Sequence, residues 1–266
     1  MKTLKKLYLG LVLFFMYAPI FVLMTFSFNA SRSRNTWDGF TFDWYMQLFN
    51  NPEVMRALRN TLIVAVFSTV ISVIIGTTAA AGIEKMGRRT SAAVMGITKL
   101  PVMMPDIVTG LSLMILYLFV FRSLGIGRLG LGTLILSHII FNVPYVILSV
   151  IPKLRQLDPN LYEAALDLGS SPFRAFIQVI LPQLWPGVIT GAMLAFTLSV
   201  DDFMVSFFTT SPAVQNLSIM IFSMTRRGVN PQINALSTLI FIVIMLMLFL
   251  IYWRDNRMAK KRMQHE

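Results

Sequence analysis

Three carboxylates stand inside otherwise apolar stretches of this chain: Asp106 in MMPDIVTG, and Asp201 and Asp202 in LSVDDFMVS. A carboxylate near the centre of a bilayer costs a few kcal/mol, so such groups face a bundle interior or a water-filled path. Carboxylates with Trp, Tyr or Phe around them bind cations, and an organic amine suits them through ion pairing and cation–π contact. At 1.5 Å per residue, Asp106 falls roughly 20 Å from the start of its apolar segment and Asp201 roughly 20–25 Å into its own. Both are thus expected in the outer half of the membrane. Neighbours on a helix point about 100° apart, so at most one of Asp201 and Asp202 faces a pore squarely. Structural roles are open as well. Asp106 could cap a helix restarting after Pro105, and Asp201 or Asp202 could pair with a basic side chain or cap a break.

A second stretch, EAALDLGSSPFRAFIQVILP from Glu163 to Pro182, lies between two long apolar segments and is amphipathic. It reads as a short helix, a break at Gly169–Ser170–Ser171, and a second helix opened by Pro172 at its first position. Glu163, Ala164, Leu166 and Asp167 mix charge and apolar bulk over about one turn and a half, a surface suited to docking. A plain solvated connector would carry a similar pattern.

The elements that position these residues follow from hydropathy. Of the 266 residues, 56% are hydrophobic and only 13% charged. A soluble domain carries about 25% charged residues, so this is an integral membrane protein. The expected spans are 7–28, 61–83, 92–121, 131–151, 187–208 and 235–253, giving an all-α bundle of six transmembrane helices. The first is read as retained, because no small-residue cleavage site follows it. Pro101 and Pro105 should kink or interrupt the third. Gly76, Ala79, Ala80, Ala81 and Gly82 should let the second pack closely. Residues 29–59 read as an outer loop with Trp37, Trp44 and Tyr45 as interface anchors. The expected organisation is a first helix and outer loop over 1–56, a core over 57–254 and a basic tail over 255–266.

The net charge of +11 would suggest nucleic acid in a soluble protein. Here the basic residues sit at span ends, where they set orientation instead. With both termini cytoplasmic, fourteen Lys and Arg fall on the inner segments and eight on the outer, with Lys99 near the inner end of the third span. That asymmetry puts the termini and the Glu163 loop in the cytoplasm. No cysteine is present, so thiol, disulfide and iron–sulfur chemistry are excluded. Of the two histidines, His265 lies in the tail and His138 reads as a hydrogen-bonded packing residue rather than a ligand. The eighteen methionines, scattered through apolar spans, read as flexible packing rather than a soft-metal path. Lys99 is expected to snorkel to the interface. Arg226 and Arg227 could meet an acidic binding protein or anchor the interface. No GxxxxGK[ST] phosphate loop, H-E-x-x-H or G-x-S-x-G occurs, so neither ATP binding of the usual kind nor hydrolase chemistry is expected, and no cofactor or metal.

Glu163-Ala164-Ala165, Gly169 and Ile180-Leu181-Pro182 closely resemble the EAA loop of ABC importer permeases. In that family the loop is a coupling helix that fits a cleft on a cytoplasmic ATPase. MMPDIVTGLSLMILYLF, AFTLSVDDFMVSFFTT, GVNPQINALSTL and SFNASRSRNTWDGFTFDWY narrow the likeness to the permease subunits of spermidine/putrescine ABC importers, over nearly the whole chain. The resemblance implies a type I importer permease fold with a cytoplasmic coupling helix, in the cytoplasmic membrane. It also implies a homologous second permease chain, an ATPase dimer and an extracytoplasmic polyamine-binding protein. Coupling then falls to Glu163, Ala164, Ala165, Asp167 and Gly169, and the substrate pathway to Asp106, Asp201 and Asp202. Three alternatives compete: the same architecture moving iron, thiamine or an opine; a proton-driven secondary transporter; and an assembly protein without transport of its own.

Overall fold

A computed structural model describes residues 2–32, 36–125, 127–226 and 231–262. Arg34, Arg227, Gly228 and His265 lie outside the described residues. Helices dominate, and the chain groups into two compact units, 56–220 and the pair 1–55 with 221–266.

In the second of these units, α1 (Lys2–Phe26) packs against α12 (Pro231–Arg262), and α12 also packs against the short α2 (Asp43–Asn50). The intervening loop folds on itself through Asn29. Its side chain donates to the Thr36 carbonyl at 2.7 Å and accepts from the Ser31 and Asp38 amides. Trp44 is buried, and its indole N–H donates to the Asn29 carbonyl at 2.7 Å. It is therefore a core residue of the loop and not an interface anchor, while Trp37 is exposed. An indole whose donor finds a carbonyl inside can bury its whole ring, which overrides its interface preference. The expected outer loop is thus partly helical: α2 lies inside it, and α3 (Pro52–Glu84) already begins within it.

The unit 56–220 contains most of α3, then α4 (Arg88–Met103), α5 (Asp106–Leu124), α6 (Leu131–Leu154), α7 (Asn160–Asp167), α8 (Pro172–Ala175), α9 (Leu181–Asp201), α10 (Met204–Thr209) and the start of α11 (Leu217–Arg226). Its core lies between α3, α6 and α9, around Ala80, Val146, Val150, Leu184 and Ala195. A Cβ on Gly76 would come within 2.7 Å of Val146, so that glycine is where α3 meets α6; Gly82 has open space and serves no such contact.

Among the described residues, five helical stretches are long and apolar enough to cross a membrane: 5–26, 52–84, 106–124, 131–154 and 172–201. The sixth expected span lies within α12. Two boundaries differ from the sequence reading. The expected third span is two helices, because Met104, preceding Pro105, is forced extended (ψ 145°); α5 alone then has the length to cross. The expected fifth span starts earlier and stops sooner. One turn of π-helix, Phe176–Ile180, joins α8 to α9 without interruption, and the chain breaks after Asp201 instead of running to Phe208. Leu181 and Pro182 open the α-helix beyond the π turn, where the missing proline N–H is tolerated.

Candidate functional site

The break between α9 and α10 brings the three intramembrane acids together. Asp201 is the last residue of α9 and Asp202 is extended (ψ 126°), so their side chains separate. Asp201 is exposed, whereas the Asp202 side chain is 4% exposed. Asp106, the first residue of α5, is exposed too and makes no capping hydrogen bond. All three border one cavity of about 320 Å³, together with Phe141, Thr197, Leu198, Phe203 and Met204. The approach of α5 to α10 depends on Gly110, where a Cβ would lie 3.0 Å from the Met204 carbonyl and 3.1 Å from Val205 Cα.

Asp202 is committed to the fold as well as to the cavity wall. Its carboxylate accepts the Val205 amide at 3.2 Å and the Ser206 amide at 2.7 Å, which caps α10. His138 Nε2 lies 3.6 Å behind it and 3.0 Å from Ser206 Oγ. His138 is fully buried and its Nδ1 has no partner among the described residues. A proton on Nδ1 would be a buried donor with no acceptor, so the ring proton belongs on Nε2, facing Ser206 and Asp202. Asn216 completes the group: its amide donates to Ser206 Oγ at 2.7 Å, and its Oδ1 accepts the Ile219 amide at 3.0 Å. This buried group links α6, α10 and α11.

Sequence reasoning found the acids and assigned His138 a hydrogen-bonded packing role, as observed. It missed Ser206 and Asn216. It also missed a second buried cluster, in which Asn142 donates to Ser199 Oγ at 2.7 Å and Ser199 Oγ lies 3.0 Å from Ser68 Oγ. The available signal was polar side chains inside spans, above all Asn142 in HIIFNVPY.

The stretch from α7 to α8 has a different construction. After α7 the Ser170 amide donates to the Ala165 carbonyl at 3.1 Å and the Gly169 amide to Leu166 at 2.9 Å, a Schellman closure. Gly169 has φ +84°, a left-handed conformation that a side chain resists. Ser171 then accepts the Arg174 amide, with Pro172 at the first helical position. Glu163, Ala164 and Asp167 are exposed, while Ala165 is buried and seats the helix. Leu168 is 89% exposed and Phe173 73%, so the tip carries two apolar side chains with little protein around them.

No group of three or more His, Asp or Glu side chains suited to a metal occurs among the described residues.

Sequence and fold both resemble known proteins. Residues 72–263 match the family described as binding-protein-dependent transport system inner membrane component. The chain is 36% identical over 252 residues to the putrescine transport system permease protein PotI of Escherichia coli K12, covering 94% of this chain and 90% of that one. It is 39% identical over 233 residues to the spermidine/putrescine transport system permease protein PotC of the same organism, covering 88% and 86%. Among solved structures, a chain of a bacterial alginate ABC transporter in complex with alginate pentasaccharide-bound periplasmic protein superposes with a TM-score of 0.70. At 18% identity, over 94% of this chain and 92% of that one, this likeness concerns the fold alone. The continuous apolar helices, the Schellman-closed turn after α7 and the extent of these matches lead to one conclusion: the chain belongs to the binding-protein-dependent transport system inner membrane component family, as a multi-pass inner-membrane permease.

Proposed function

We propose that this chain is a membrane-spanning subunit of an ATP-driven importer that carries polyamines, putrescine or spermidine, into the cytoplasm. The observation that carries the reading is the cavity on which Asp106 and Asp201 open from two different helices, with Phe141 and Phe203 in its wall. Two exposed carboxylates from α5 and α9 can each take an ammonium group, while apolar and aromatic walls accept the methylenes between them. Asp202 adds negative charge from behind the wall while its oxygens hold α10. Identity to permeases named for putrescine and spermidine supports the same cargo.

In this reading residues 57–254 form the translocating core, both termini are cytoplasmic, and a homologous permease chain supplies the other half of the path. An extracytoplasmic binding protein delivers the amine. A separate ATPase dimer docks on Glu163, Ala164, Asp167 and the exposed Leu168 and Phe173, with Gly169 shaping the turn and Ala165 seating the helix. Closure of the ATPase dimer pushes this segment, and the two permease halves rock so that the cavity opens to one side and then the other. No cofactor takes part in the permease itself.

The test is uptake of labelled putrescine by the reconstituted importer with Asp106→Asn or Asp201→Asn. Each should reduce uptake about tenfold to a hundredfold, the scale of one lost charged hydrogen bond, while the ATPase co-purifies as in wild type. Unchanged uptake in both variants overturns the amine path. Retention of the ATPase by a Glu163→Lys, Leu168→Asp chain overturns the docking assignment.

A further inference from the structure

The docking segment has two routes back to the membrane helices, and they differ in kind. One is covalent: Pro172 runs without a break through the π turn into α9 and so to Asp201. The other crosses space toward α3. Between the end of α3, the end of α6 and α7 lies a hollow of about 360 Å³, bordered by Gly82, Leu157, Phe176 and Ile180. Two adjacent side chains, Glu84 at the end of α3 and Lys85 just past it, bridge around it. Lys85 Nζ lies 3.7 Å from the centroid of the Tyr162 ring, on α7. Glu84 Oε2 accepts from Arg155 Nε at 3.1 Å, just past α6. Lys85 follows the last helical residue of α3, and the negative end of the helix dipole favours a cation there.

We propose that Lys85 and Tyr162 form a latch that makes α3 move together with the docking helix, so that ATPase motion reaches α3 as well as α9. The inference rests on the reading of α7 and its turn as the ATPase-docking segment. Both side chains are positioning residues, because neither borders the Asp106–Asp201 cavity. Lys85 is exposed, and an exposed pair of this kind adds little to stability. Its placement between a lever and a transmembrane helix is what gives it a task.

The experiment uses the complete importer in proteoliposomes and reads putrescine transported per ATP hydrolysed, with ATPase retention and yield measured in parallel. Tyr162→Leu and Lys85→Met should each lower the transport ratio about twofold to fivefold, the scale of one cation–π contact, with ATPase retention unchanged. Tyr162→Phe, which keeps the ring face, and Lys85→Arg, which keeps the cation, should restore it. The chain has no cysteine, so a Lys85→Cys, Tyr162→Cys pair can be bridged selectively by a short bis-thiol reagent. The bridged protein should transport, because the latch stays closed through the cycle. A normal ratio in Tyr162→Leu and Lys85→Met overturns the latch, as does arrest on bridging. Loss of the ATPase from Tyr162→Leu alone also overturns it, making Tyr162 part of the docking surface. A wild-type chain that retains no ATPase removes the docking reading itself, and that result is recognisable before any variant is compared.

Discussion

The acid cavity and the proposed docking turn are both built around a helix interruption, but different forces hold the two breaks. At Asp201–Asp202 the break is fixed by side chains distant in sequence: His138 from α6 and Asn216 from the start of α11, meeting at Ser206 and Asp202. At Leu168–Ser171 it is fixed by backbone bonds within six residues, by a left-handed glycine and by a serine cap. Polar groups inside the apolar layer have no water to fall back on, so the first break needs every partner. The second is built from exposed residues, where local turn chemistry suffices and outward-facing side chains stay free to meet a partner. One break is therefore rigid and inward-facing, and the other is a shaped surface.

That contrast can be broken most forcefully at Asp202. Asp202→Leu strips two backbone amides of their acceptor and removes the carboxylate beside His138, and should cost about 3–5 kcal/mol of stability, the range for removing one member of a buried charged group. Asp202→Asn keeps one acceptor oxygen and should cost much less. Thermal unfolding of the detergent-purified chain measures both, and equal losses would mean that the carboxylate's bonds do not hold α10. Gly110→Ala comes next. Its Cβ would press on the Met204 carbonyl, so α5 and α10 must part, at about 1–3 kcal/mol for overpacking. Reduced putrescine uptake should accompany the loss, since the same contact aligns Asp106 with the α9 end.

At the turn after α7 the effects should be smaller and, if it is the proposed docking surface, should fall on assembly rather than on folding. Gly169→Val forces a β-branched residue into φ +84° and should cost about 1–2 kcal/mol locally, seen as weakened ATPase co-purification with little change in the melting of the chain. The smallest change expected is in the stability of Leu168→Ala, within about 0.5 kcal/mol because the side chain is almost fully exposed. The same variant should still weaken ATPase retention. A large melting shift there would show that the tip packs against the chain itself, and the contrast between the two breaks would fail.

How far these features could be read from sequence follows the same division. The turn after α7 was legible in outline: the helix, the Gly169 break and the Pro172 start are local backbone preferences that survive without tertiary context, whereas the Ser171 cap and the unbroken run into α9 were not read. Apolar helices could be read for their presence but less well for their limits. Pro105 marks an interruption in the sequence, but whether the chain kinks or divides into α4 and α5 depends on the neighbours that receive each piece. A cap on a break at Asp201 or Asp202 was one open reading, but the sequence could not choose it, since LSVDDFMVSFF continues apolar and helix-compatible through the end of α9. Trp44 looked like a membrane anchor until Asn29 supplied its hydrogen bond.

By itself, then, the sequence determined that this is a helical membrane protein, that acids lie in its apolar layer, and that a shaped turn projects from it. Those follow from hydropathy, charge cost and turn chemistry, each readable within a few residues. Only the tertiary structure decided that Asp201 stands exposed at the cavity while Asp202, buried in its wall, caps α10, and that Asp106 joins them from another helix. Adjacent, chemically identical side chains cannot be told apart by sequence pattern. What separates them is which one finds His138 and two free amides, and those partners are assembled only when α5, α6, α10 and the start of α11 pack together.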